Sequence, residues 1–250
     1  MKSKINLLGV KADKPVSLVI PGRIGGKKVD ILSSSETLFC GLRFVEELTI
    51  GSGFSGAVYG FNNCPQLKCV TVEGGFKGSL FGFNNCPKLE TLAFEKDASG
   101  RIVGFENCPE LHAVQMAPGI GIAVSSFSGS KFWKGFDGPI IINGEFIGFH
   151  GDVKELTVPE NVEVIRRDLS RWLMNLERIV IPSTVKQLER HAFDAYLDRE
   201  TPLEVVIPAG HLNFGNLNEN FKGGRNITLC APAGCKIQKY AEKHGINFKP

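Results

Sequence analysis

Apolar residues recur in this chain at two nested spacings. At the shorter one, triplets alternate apolar and variable positions: Leu48-Thr49-Ile50, Val70-Thr71-Val72 and Leu92-Ala93-Phe94, then Leu156-Thr157-Val158, Ile179-Val180-Ile181, Val205-Val206-Ile207 and Ile227-Thr228-Leu229. A period of two predicts strands that each bury one face. Pro159, Pro182 and Pro208 follow three of these triplets, as Pro21 follows Leu18-Val19-Ile20, and each stops its strand. At the longer spacing, GFNNCPQLKCVTV from Gly60, GFNNCPKLETLAF from Gly82 and GFENCPELHAVQM from Gly104 start 22 residues apart. That register aligns Phe39, Phe61, Phe83, Phe105 and Phe127 at one position, and Val45, Leu67, Leu89, Leu111 and Trp133 at another. In the second half the triplets repeat at spacings of 23, 26 and 22. Self-similarity at such a period predicts a solenoid whose coils bury their apolar residues against one another.

The expected organisation is a single domain over residues 1–250. It has a lead-in at 1–16, nine or ten coils over 17–229, an irregular junction at 125–152 and a helical cap at 230–250. Helix is expected near Arg167 to Met174, near Val185 to Tyr196, and from Gly234 to Gly245, where Ile237, Tyr240 and Ala241 form an i, i+3, i+4 stripe. In the junction, Phe132, Trp133, Phe136, Phe146 and Phe149 crowd together. They read either as a widened core or as an exposed aromatic patch that anchors a partner.

Comparing the repeats with one another separates structural from surface positions. Asn63, Asn85 and Asn107 are constant, so they are expected to bond the backbone of the stacked turns. Asn62, Asn84 and Glu106 drift and are expected to face water. Cys64, Cys86 and Cys108 form a ladder without any CxxC spacing, which suits small buried hydrophobes better than a metal site.

The pattern F-x-N-C-x-x-L-x-x-V-x-V, later segments such as IPSTVKQLERHAF, and the ending APAGCKIQKYAEKHGINF together resemble the BspA-like leucine-rich repeat family, from about Val16 to Phe248. The resemblance implies an α/β repeat fold: a single right-handed leucine-rich repeat solenoid, with a parallel sheet along one face and loops and short helices on the other. It also implies a bacterial, often surface-exposed, protein-interaction or adhesion module without catalysis.

Chemistry narrows the picture only by exclusion. A net charge of +3 is too small for a nucleic-acid footprint, and no apolar run is long enough to cross a membrane as a helix. The apolar run from Ile5 to Val10 is too short for a secretion signal, and seven cysteines give no even framework. Both point to the cytoplasm, against the cell-surface or secreted location common in the family. Gly51, Gly53 and Gly56 match G-x-G-x-x-G, but Ala57-Val58-Tyr59-Gly60 leads directly into the next repeat instead of a helix, so the segment reads as a glycine-rich turn. Arg166, Arg167 and Arg171 are interleaved with acids and read as a solvated mixed face.

The leading expectation is a monomeric, non-catalytic protein-interaction module with no cofactor and no metal. Its variable outward residues Lys68, Glu90, His112 and Arg178, with Trp133, are expected to meet a protein partner. A surface adhesin or host-protein binder is the alternative, and an enzyme at the aromatic junction comes third.

Overall fold

A computed structural model describes residues 5–6, 12, 14–30, 39–123, 125–167, 169–210 and 217–250. Most of the expected lead-in, the greater part of the apolar run from Ile5 to Val10, and Asp168 and His211 lie outside the described residues. The chain forms two compact units, Met1–Gly135 and Phe136–Pro250, divided within the irregular stretch at 125–152. Both are built from mostly parallel strands with few helices, as a repeat architecture requires.

In the first unit the predicted strands pair in the order Ala113–Gln115, Thr91–Phe94, Cys69–Val72, Val45–Ile50, Val16–Ile20, all parallel. Equivalent residues of the 22-residue register face one another, as in Thr49↔Thr71↔Ala93. A second parallel sheet runs Gly119–Ile122, Ser99–Gly104, Lys77–Gly82, Ala57–Tyr59. This corrects the expectation of loops and short helices opposite the first sheet. The glycine-rich turns at Gly51–Gly56 and Gly74–Gly75 are real, but each leads into a strand of this second sheet. Its inward residues Val58, Leu80, Ile102 and Ile122 and the first sheet's Leu48, Val70 and Leu92 are all buried.

The five register phenylalanines are fully buried; Phe39 to Phe105 stack ring on ring with centroids 4.8, 5.2 and 4.9 Å apart, and Phe127 follows at 5.8 Å, tilted by 32°. Two residues after each lies a corner with left-handed backbone, filled by Gly41 (φ 69°), Asn63 (57°), Asn85 (57°), Asn107 (55°) and Gly129 (82°). Asparagine and glycine are the residues that tolerate this region. The asparagine roles therefore exchange. The constant Asn63, Asn85 and Asn107 are exposed and kept for their backbone. The drifting Asn62 and Asn84 reach the next coil, where their Oδ1 atoms accept from the N–H of Asn84 and Glu106 at 2.9 Å.

Cys64, Cys86 and Cys108 are buried in the same stack, and their thiols donate to the carbonyls of Phe39, Phe61 and Phe83 at 3.4, 3.3 and 3.1 Å. Hydrogen bonding with the Cys108 and Cys64 thiols, helped by burial, pushes the Cys86 thiol far up, so the middle thiol stays protonated. Cys230 is also buried, and burial together with Glu204 raises its pKa. Cys40, Cys69 and Cys235 are half-buried. In the native protein an excess of an aromatic disulfide reagent is expected to titrate these three promptly and the other four only as the chain unfolds. Prompt release of more than three equivalents would contradict the packing of the stack.

In the second unit the first sheet runs Glu155–Thr157, Arg178–Val180, Leu203–Val206, Ile227–Cys230, Asn247–Lys249, again all parallel. The second sheet begins with an antiparallel hairpin, Gly138–Ile142 with Glu145–His150, followed by Val164–Ile165 and Gln187–Leu188 in parallel. Asn143 (φ 52°) and Gly144 (φ 75°) make the hairpin turn, the conformation that Asn-Gly favours. Helix is shorter than expected. Only Leu169–Trp172 is α-helical in the first predicted stretch, and only a 3₁₀ turn, Asp194–Tyr196, forms in the second. The apolar residues Val185, Leu188 and Ala192 have helical spacing, but they lie on successive sides of a coil, and His191 at φ 67° breaks any helix there. Buried Asn220 ties adjacent coils together: its Oδ1 accepts from Ala192 N at 2.8 Å, and its Nδ2 donates to Glu189 O at 2.9 Å. The cap helix Lys236–His244 ends at left-handed Gly245, buries Ile237, Tyr240 and Ala241, and is followed by the strand Asn247–Lys249.

Candidate functional site

The outward face of each first sheet is what the coils leave to vary. In the first unit Lys68, Glu90 and His112 occupy one register position just ahead of three consecutive strands. Backbone bonds hold them there: Glu90 N–H donates to Lys68 O at 2.8 Å, and His112 N–H to Glu90 O at 3.1 Å. Glu90 and His112 are exposed and Lys68 is half-buried. The residue one coil before Lys68 is Glu46, and their side chains pair at 3.4 Å. The His112 ring contacts Glu110 O through Nδ1 at 2.9 Å. The two outward columns of the sheet proper carry Val19, Thr49, Thr71, Ala93 and Gln115 in one and Ser17, Glu47, Cys69, Thr91 and Ala113 in the other. Charge is therefore confined to the rim of this face, except at Glu47, which accepts from Ser17 Oγ at 2.7 Å.

In the second unit the corresponding face places Glu155, Arg178 and Glu204 side by side on three strands. Arg178 is exposed between the two acids, and Lys249 pairs with Glu204 at 3.5 Å. Trp133 belongs to neither face. It is only 5% exposed in the short helix Lys131–Lys134 of the first unit, and its N–H is capped by Ser130 Oγ at 3.0 Å. This corrects its assignment to an exposed patch: its register position is the buried one held by Leu67, Leu89 and Leu111. Phe146 and Phe149 are likewise buried, in the core of the second unit.

The solvated basic face needs a similar correction at Arg166. Its side chain is 15% exposed, 3.0 Å from Glu189 and 3.6 Å from Glu145, on the second sheet. Burial raises the pKa of Glu145 although Arg166 opposes the shift. Spacing was the available signal, because Arg166 and Glu189 are 23 residues, one coil, apart. Lys154–Glu177 at 2.8 Å and Lys186–Glu163 at 2.9 Å repeat that separation. Among the described residues no group of three or more His, Cys, Asp or Glu side chains gathers as metal ligands would. No helix among them is long and apolar enough to cross a membrane.

No family model matches the chain, and no curated protein matches it. Among solved structures it is similar to a leucine-rich cell surface protein from Faecalibacterium prausnitzii A2-165, known from a crystal structure. The two share 17% identity over 85% of this chain, with a TM-score of 0.21. The matched part spans 37% of that protein's length.

Proposed function

We propose that this chain is a non-catalytic protein-interaction module of the leucine-rich repeat type, offering the outward face of its first sheets to a protein partner. One observation carries the reading. A single register position changes from Lys68 to Glu90 to His112 while the buried positions around it repeat almost residue for residue. A repeating ligand would call for the same side chain on every coil, whereas a protein surface is irregular and meets an irregular face. Rim charges of this kind steer encounter and select partners more than they add raw affinity. The finer features, a right-handed winding and a monomeric state, belong to the same proposal.

The test is affinity capture from a lysate of the source cells on immobilised protein, comparing wild type with the triple variant Lys68→Glu, Glu90→Lys, Arg178→Glu. These side chains lie outside the core, so circular dichroism should be unchanged. Proteins retained by wild type at physiological salt are expected to be lost from the variant. Retention of the same set by both would remove this face from the proposal.

A further inference from the structure

The second sheet of the first unit carries a feature that the interaction face does not use. On three consecutive coils a glycine, Gly60, Gly82 or Gly104, separates two outward side chains. On one side stand Tyr59, Phe81 and Val103, all half-buried, with the Tyr59 and Phe81 rings stacked at 4.8 Å and only 7° from parallel. On the other side stand Asn62, Asn84 and Glu106. The glycines form the floor of an open trough of about 260 Å3 that crosses the three coils.

The two walls differ in chemistry. One presents aromatic and aliphatic edges. On the other, the Asn62 and Asn84 Oδ1 atoms are committed to the N–H groups of the next coil, which fixes the orientation of both amides. Their Nδ2 groups and the Glu106 carboxylate make no hydrogen bond among the described residues. No lysine or arginine lines the trough. Nothing there would hold an anion, and a neutral ligand suits both walls if it offers apolar C–H surface to one and closely spaced groups that both accept and donate hydrogen bonds to the other.

We propose that this trough binds an unbranched neutral oligosaccharide lying across the coils. A pyranose chain has C–H surface for Tyr59, Phe81 and Val103, and hydroxyls at every ring for the two amide donors and the Glu106 acceptor. An extended peptide fits less well. Its same-side groups recur at about 6.6 Å, against about 4.8 Å between stacked strands.

The probes are cellotetraose, xylotetraose and laminaritetraose, examined by saturation-transfer NMR and titration calorimetry with the full chain. At least one is expected to bind, and Glu106→Ala and Tyr59→Ala should each weaken it tenfold or more with circular dichroism unchanged. Phe81→Ala should do the same if it folds, and Glu106→Ala, whose side chain bonds nothing, keeps the test valid if it does not. Absence of saturation transfer with all three glycans overturns the proposal. So does glycan binding that these variants leave intact, or binding of an acetylated Ser-Thr peptide in place of the glycans. The rim variant Lys68→Glu, Glu90→Lys, Arg178→Glu should bind the glycan normally, which keeps this outcome separate from that of the protein-interaction face.

Discussion

Replacing Gly104 by alanine is expected to cost more than about 4 kcal/mol, in the range that single substitutions rarely reach. A Cβ at this position would lie 1.8 Å from Gly82 O, a backbone atom of the preceding coil that cannot step aside. The backbone there also has φ +128°, a region that L side chains rarely adopt. Both penalties arise from the same close passage of strand Ser99–Gly104 along Lys77–Gly82, where residues pair in strict register from Ser99↔Lys77 to Gly104↔Gly82. Gly121→Ala is the matched control. Its Cβ would meet only Gly100 O at 3.6 Å, an ordinary contact, so a change within about 1 kcal/mol is expected. Urea unfolding followed by circular dichroism checks both. Equal midpoints for the two variants would mean that the second sheet is not as tightly paired as described.

The second large effect concerns the phenylalanine stack. Phe83→Ala is expected to destabilise by about 3–5 kcal/mol, as for other buried aromatics cut back to alanine. Phe83 has ring neighbours on both sides, Phe61 at 5.2 Å and Phe105 at 4.9 Å, while Phe39 has a stacking partner only in Phe61 at 4.8 Å among the described residues. Phe39→Ala should therefore cost less by about 1 kcal/mol, the worth of one aromatic pair beyond its buried area. The ordering of the two midpoints is the result that matters. A larger loss at Phe39 would show that the stack is not the element that joins the coils.

Much of this architecture could be read in the residues, and the failures share one cause. The strands of the first sheets follow from alternation at Leu48 to Ile50 and its copies, because burial of one face leaves a local signature. The second sheet does not, since segments such as KGSLFG and SGRIVG are glycine-rich and lack the clean alternation of apolar and variable residues. They become strands only because the neighbouring coil supplies backbone partners at close range. The exchange of the asparagine roles has the same origin. Constancy at Asn63, Asn85 and Asn107 reflects a left-handed backbone, and Gly41 and Gly129 at the same register position were the readable clue. Asn143-Gly144 was an equally direct hairpin signal within the irregular stretch. Trp133 could have been placed inside from its alignment with Leu67, Leu89 and Leu111. Of the proposed interaction face, Arg178 was legible from alternation, being out of phase with buried Ile179 and Ile181, whereas Lys68, Glu90 and His112 share the parity of the inward Val70, Leu92 and Val114 and stood out only because one register position varies. The trough was not legible, because its floor depends on a second sheet that local patterns did not reveal.

The ladder of left-handed corners, stacked rings and touching glycines makes length a quantised property of the first unit. Between Gly60 and Gly104 a gain or loss of 22 residues returns every inward side chain to an inward position, every left-handed backbone position to the asparagine, glycine or phenylalanine that holds it, and every glycine to the place where the adjoining backbone passes. Any other increment puts a side chain where only a hydrogen fits. This stretch is thus free to grow or shrink through whole-repeat duplication and deletion, and closed to the small insertions that ordinary surface loops absorb.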